Sequence, residues 1–256
     1  MSSYLFKLER AREHLKVLRD KEREFFNRDP APAQLEGSYN EDHSIYSFRL
    51  RLIEPPYASY SLIIGDYLTN LMASLDHLVY ELSSVKSEKP GFPICLNEQQ
   101  WDSEVGGEKL KGLKKPVVGA IHEWQPFAKW GNPESSPLWM LKTLANWDKH
   151  RSLHLMVGHP TGITYSPSIV GNLMALMVEP KPLGPFKDGD VTASFRIPEE
   201  FCDKPKPIVA TLKAGLLFDE DVPSPTGERF FVVMLLERIL EHVEDRVLRA
   251  LGRFLP

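Results

Sequence analysis

Residues 146–154 read NWDKHRSLH, and Asn146, Asp148, Lys149, His150, Arg151 and His154 can all ionise or hydrogen-bond strongly. They finish a segment that is apolar on nearly every side: Leu138, Trp139, Met140, Leu141, Leu144, Ala145 and Trp147. A helix apolar all round is buried. Asp148 falls in line with Leu141 and Leu144, so it is an acid in a core and needs a partner. Arg151, three residues on, can supply one. Asn146 and His150 are four apart and share another face with Thr143.

A second polar set lies upstream. At 100° per residue, Asp66, Asn70, Ser74, His77 and Glu81 form one stripe, opposite a broad side of Ile64, Leu68, Leu71, Leu75, Leu78 and Val79. Lys and Arg are absent from Leu52 through Val85, where exposed helices normally use them freely. Small polar and acidic groups suit a face that meets protein rather than water.

Joined, the two sets would make a polar pocket between helices. Such a site could do general acid/base work through its histidines, His77 and His150, oriented by a carboxylate. In this scheme His77, His150, Asp148 and Arg151 are the catalytic candidates, and Asp66, Asn70, Asn146 and Lys149 the ligand-binding ones. The pocket would bind a small ligand or carry acid/base, hydrolytic chemistry. The bland alternative is a structural knot, in which a buried Asp–Arg pair and satisfied histidines fix helix register.

Other chemistries lack their residues. His150 and His154 have metal-ligand spacing, but there is no HExxH, since His122-Glu123 continues Trp124, Gln125, Pro126. No metal centre is expected, and no cofactor is identified. In GGEKLKGLKK, Leu113 stands after Gly112 where a phosphate loop needs lysine. Neither GxGxxG nor GxSxG occurs, and Cys95 in FPIC reads as packed.

These residues need elements to hold them. Residues 3–28 read as a long amphipathic helix, with Leu8, Leu15, Leu18 and Phe25 near heptad spacing. IYSFRLRLI, 45–53, alternates as a strand. Helices follow over 57–84, 98–105 and 115–124, then one opened by Ser136-Pro137 as N-cap and first residue. From 152 the pattern turns to strands (LHLMV, NLMALMV, DVTASFRI, PIVATLKAGLLF) with Pro/Gly turns. A last helix spans 228–254, striped by Leu236, Leu240, Val243, Val247 and Leu251. This order predicts an α+β fold, with long helices packed on one antiparallel β-sheet. It is read as a single domain: a helical layer over about 1–151, a sheet over about 152–218 plus strand 45–53, and the C-terminal helix.

Composition narrows the partners. The chain has 256 residues, a net charge of -4 and two cysteines. The acidic balance argues against a nucleic-acid partner. No apolar run approaches the roughly 20 residues that span a bilayer, so no membrane partner is expected. Charges in MSSYLFKLERAREHLK stand where a signal peptide needs an apolar core. A reducing, cytoplasmic setting is expected. The heptad-like stripes of the first and last helices fit packing on each other or a homodimer.

GDYLTNLMASLDHLVYELS, then FPI, then PLWMLKTLANWDKHRSL resemble an uncharacterised bacterial protein family, common in actinobacteria. The resemblance covers about residues 60–155 and implies Asp76-His77 and Asp148-Lys149-His150-Arg151 as the matching positions, with no chemistry attached. The helical half also has an architectural similarity to HEPN ribonuclease domains, whose signature has four to six residues between Arg and His. Here Arg10 to His14 and Arg238 to His242 have three residues between them, and Arg151 to His154 has two. Three functions therefore stand: a ligand pocket or enzyme, a HEPN-like RNA-processing or phage-defence component, and a non-catalytic interaction protein.

Overall fold

The structure, a computed structural model, describes residues 2–85, 87–158, 187–202, 214–219, 221–224 and 230–255, with the short strands 163–165, 177–180 and 210–212. The chain is α+β, as the element order predicts. It divides into two compact units: residues 1–19, 58–154 and 220–256, and residues 20–57 and 155–219.

The first unit is helical. It holds most of α1 (Ser3–Phe26), α2 (Ser59–Leu82), α3 (Glu98–Val105), α4 (Lys115–Glu123), α5 (Pro126–Lys129) and α6 (Pro137–His150). Its last helix begins as α8 (Val232–Glu241), widens to a π-helical segment over His242–Leu248 and ends as α9 (Arg249–Gly252). α2 buries the side predicted from its period: Ile64, Leu68, Leu71, Leu75, Leu78 and Val79 are all inaccessible. It packs on α6, which also packs on α8 and the π-helical segment. The Tyr67 hydroxyl donates to Leu236 O at 2.7 Å and so ties α2 to α8.

α1 is fixed to the last helix by ion pairs, Arg12 with Glu244 and Arg19 with Glu237. Leu8, Leu15 and Leu18 are buried, as are Leu236, Val243, Val247 and Leu251. The heptad-like stripes are thus covered within one chain. Among the described residues no helix is long and apolar enough to cross a membrane.

The second unit holds the strands: β1 (Ala33–Tyr39), β2 (Ile45–Leu52), β3 (Leu155–Gly158), β4 (Ile163–Tyr165), β5 (Met177–Pro180), β6 (Val191–Arg196), β7 (Ala210–Leu212) and β8 (Gly215–Phe218), with α7 (Glu199–Cys202). Every pairing is antiparallel. β1-β2-β6-β5 form a four-stranded sheet, while β3-β8 and β4-β7 form two-stranded ladders. The alternation of β2 holds: Tyr46 and Phe48 pack with Ala193, Phe195 and Ile197, and Leu50 with Ala33 and Val157. Arg49 and Arg51 face outward. Most of the expected strand NLMALMV lies outside the described residues.

Two buried polar side chains show opposite solutions. Gln125 is completely buried, and both ends of its amide are used. Its Oε1 accepts from Cys95 N at 2.9 Å, and its Nε2 donates to Pro93 O at 2.9 Å and Ile121 O at 3.2 Å. The FPIC segment is thereby pinned to α4. His242 instead sits edge-on to Trp124 and Trp130, 5.9 and 5.1 Å away. Its Nε2 is buried without a hydrogen-bond partner among the described residues. Burial, helped by Arg246 and Arg238, pulls the imidazole down to about 4.

Two outcomes follow. Gln125→Leu keeps the bulk but orphans the Cys95 N–H and Pro93 carbonyl, so it should cost about 2–3 kcal/mol in urea unfolding; a loss below about 0.5 kcal/mol would refute the pinning role. His242 has a folded value below the roughly 6.5 of an unfolded chain. Its contribution is complete above that pH and is lost as pH falls toward the folded value. His242→Phe should flatten stability against pH in that window, and an unchanged slope would count against this account.

Candidate functional site

α6 starts on a built cap. The Ser136 hydroxyl accepts from Trp139 N at 3.1 Å, and Pro137 occupies the first turn, where its missing N–H costs nothing. From that fixed start the period places Thr143, Asn146, Trp147 and His150 on one stripe. With Trp139, Lys142, Arg151 and Pro223 they line a groove of about 490 Å³. The expected sharing of a face by Thr143, Asn146 and His150 is therefore observed.

Each cation here is held by an aromatic face. Arg151 lies over Trp147 at 4.5 Å, and the Lys142 ammonium over Trp139 at 5.0 Å. Lys142 also donates to Ile94 O at 2.7 Å, and burial lowers its pKa. Among the described residues no carboxylate lines the groove.

Asp148 points elsewhere. Its carboxylate rests on Gly65 of α2, so closely that a Cβ at Gly65 would overlap it. A side chain at position 65 would have to displace this carboxylate. Burial, and then the nearby Asp66 charge, push Asp148 above the usual carboxylate range. No Asp148–Arg151 ion pair forms among the described residues; Arg151 is spent on Trp147. Lys149 is exposed.

The α2 stripe meets α1 rather than α6. Asn70 Nδ2 donates to Asp66 O at 2.8 Å, and its Oδ1 accepts from Lys7 Nζ at 3.5 Å. Ser74 is buried and donates to Leu71 O. Glu81 accepts from the backbone N–H of Ser3 at 2.6 Å and from its hydroxyl at 2.8 Å, which caps α1 from outside. His77 Nδ1 lies 3.2 Å from Ser3 Oγ. His77 also lines a separate hollow of about 450 Å³ with Ala73, Asp76, Tyr80, Ser3 and Pro90.

The eight predicted residues thus fall into groups. Asn146, His150 and Arg151 converge on the α6 groove. His77 belongs to the hollow beside α2. Asp148 lies at the Gly65 crossing near Asp66, while Asn70 serves the α1 contact and Lys149 lines neither cavity. Trp139, Lys142, Trp147 and Pro223 were not singled out as site residues from the sequence. The missed signal is the spacing 139, 143, 146, 147, 150, hidden because tryptophans on an apolar helix read as core. His154 lies beyond α6 and pairs with Asp221 at 3.1 Å.

No known protein family matches the chain, and no curated protein or solved structure is significantly similar to it.

A carboxylate raised by burial opposes folding when charged. Stability is therefore lost as pH rises through its folded value, and the penalty is absent below roughly pH 3.9, where the unfolded chain is also protonated. Asp148→Asn should leave the protein as stable as wild type or more so at neutral pH, with the gain shrinking toward pH 4. Urea melts at both pH values read this directly, and a neutral-pH loss above about 1 kcal/mol would show that the carboxylate has a stabilising partner.

Proposed function

We propose that the protein binds a small carboxylate- or phosphate-bearing ligand in the α6 groove. One observation carries this reading: among the described residues, the charged and titratable side chains lining the groove are Lys142, His150 and Arg151, with no acid among them. The guanidinium fork of Arg151 matches a carboxylate or phosphate in two-point contact. Thr143 and Asn146 add neutral hydrogen-bonding groups. Trp139 and Trp147 give apolar walls. The volume falls within the usual range of small-ligand sites.

Binding is favoured over acid/base turnover. His150 has no lining carboxylate to orient it, and His77, the other expected catalytic histidine, lines a different cavity. The HEPN-like alternative has less support. His242 is enclosed by two tryptophans and His154 is paired with Asp221, which leaves Arg10–His14 as the remaining Arg–His pair. A cytoplasmic setting fits this reading, since Cys95 and Cys202 are both free thiols.

Calorimetric titration with citrate, benzoate and inorganic phosphate tests the proposal. At least one should bind saturably, more weakly at high salt, and about tenfold more weakly to Arg151→Ala, roughly the effect of losing one charge-assisted contact. Binding by none of the three, or binding undiminished in the variant, would overturn it.

A further inference from the structure

The hollow beside α2 has a different chemistry. Ala73, Asp76, His77 and Tyr80 form one stripe of the helix, and Ser3 and Pro90 complete the walls. Asp76 is largely withdrawn from water. Its Oδ1 accepts from Phe92 N at 2.8 Å, and no described residue bonds its other oxygen or makes an ion pair with it. Lys109, which lies near it, is committed to Glu104 at 2.6 Å. Desolvation raises the Asp76 pKa even against the Phe92 bond and the pull of Lys109, His77 and Lys149. Positive charges thus lie near this carboxylate, but no cation among the described residues is bonded to it.

His77 is also set as an acceptor. The Ser3 hydroxyl hydrogen goes to Glu81, 2.8 Å away. The Ser3 oxygen can then only accept from His77 Nδ1, 3.2 Å away. Nδ1 therefore carries a proton, and the tautomer that satisfies this contact keeps its lone pair on Nε2. Tyr80 stands next to these groups with its side chain partly open to solvent.

We propose that this hollow binds a primary ammonium group, held by the Asp76 carboxylate and His77 Nε2, with its alkyl stem against Tyr80 and Pro90. An ammonium has three N–H donors and no acceptor, which matches the Asp76 carboxylate and a lone pair on His77. Its charge offsets the cost of withdrawing Asp76 from water. A metal ion fits less well, because Asp76, His77 and Glu81 do not form a set with three ligand atoms within reach of one another. The site is separate from the α6 groove and does not depend on what that groove binds.

The test is an NMR titration of the full chain with butylammonium chloride, with sodium chloride, butanol and tetramethylammonium chloride as controls. Saturable shifts are expected at the amides of Asp76, His77 and Tyr80 with butylammonium only. Asp76→Asn keeps an oxygen for the Phe92 N–H but loses the charge, so it should weaken binding at least about tenfold without lowering the melting temperature. Tyr80→Ala, at an exposed position, provides a second variant and should weaken binding several-fold. The proposal is overturned if butylammonium gives no saturable shift, if butanol or tetramethylammonium matches it, or if neither variant weakens binding.

Discussion

The approach of α6 to α2 at Gly65 is the constraint on which the helical unit depends. α6 buries Leu138, Met140, Leu141, Leu144 and Ala145, and α2, α8 and the π-helical segment all pack on it. The missing side chain at position 65 leaves room for the Asp148 carboxylate against α2. Once that crossing is set, the period of each helix decides what remains outside. On α6 the remainder is the stripe through Thr143, Asn146, Trp147 and His150. On α2 it is the stripe through Ala73, Asp76, His77 and Tyr80. Both cavities are thus what the core leaves uncovered, each on the outer stripe of a helix packed on its other face.

The faces of these helices were legible in the sequence, but their partners were not. Periodicity shows that Asp66, Asn70, His77 and Glu81 share a side. It does not show that α1 covers that side, with Lys7 and Ser3 supplying the cation and the hydroxyl. That contact also accounts for the missing lysines and arginines in α2: the stripe is a protein contact whose positive charge comes from another element. The same limit applies to Asp148. Its alignment with Leu141 and Leu144 marked it as an acid in a core, but the structure leaves it half-buried, and the arginine three residues on was drawn off by Trp147.

The strands tell a similar story. β2 was evident because both of its faces alternate cleanly. β1, AQLEGSY, was not, since glutamate and glycine are poor strand formers and prolines precede it. Its extended state comes from pairing along its whole length with β2, from Ala33 opposite Leu52 to Tyr39 opposite Tyr46. Gly37 belongs there because the Tyr46 ring lies across it and would overlap any Cβ. Strand formation here is a tertiary effect. The widening of the last helix at His242 likewise has no mark in its local sequence.

The buried polar groups of the helical unit separate folding from function. Gln125 is fully bonded at both ends, which is how a side chain kept for folding looks. Asp76 and Asp148 are different: burial disfavours the charge of each. The two are still not equivalent. Asp148 is pressed on the backbone of α2 beside another acid, where no ligand lining either cavity would relieve it. Asp76 opens on a hollow whose other polar groups accept hydrogen bonds. A buried carboxylate that only cost stability could be replaced by asparagine without loss. One that lines a cavity can instead be matched by the positive charge of a ligand, and at Asp76 that is the proposed difference between a binding site and an imperfection in the core.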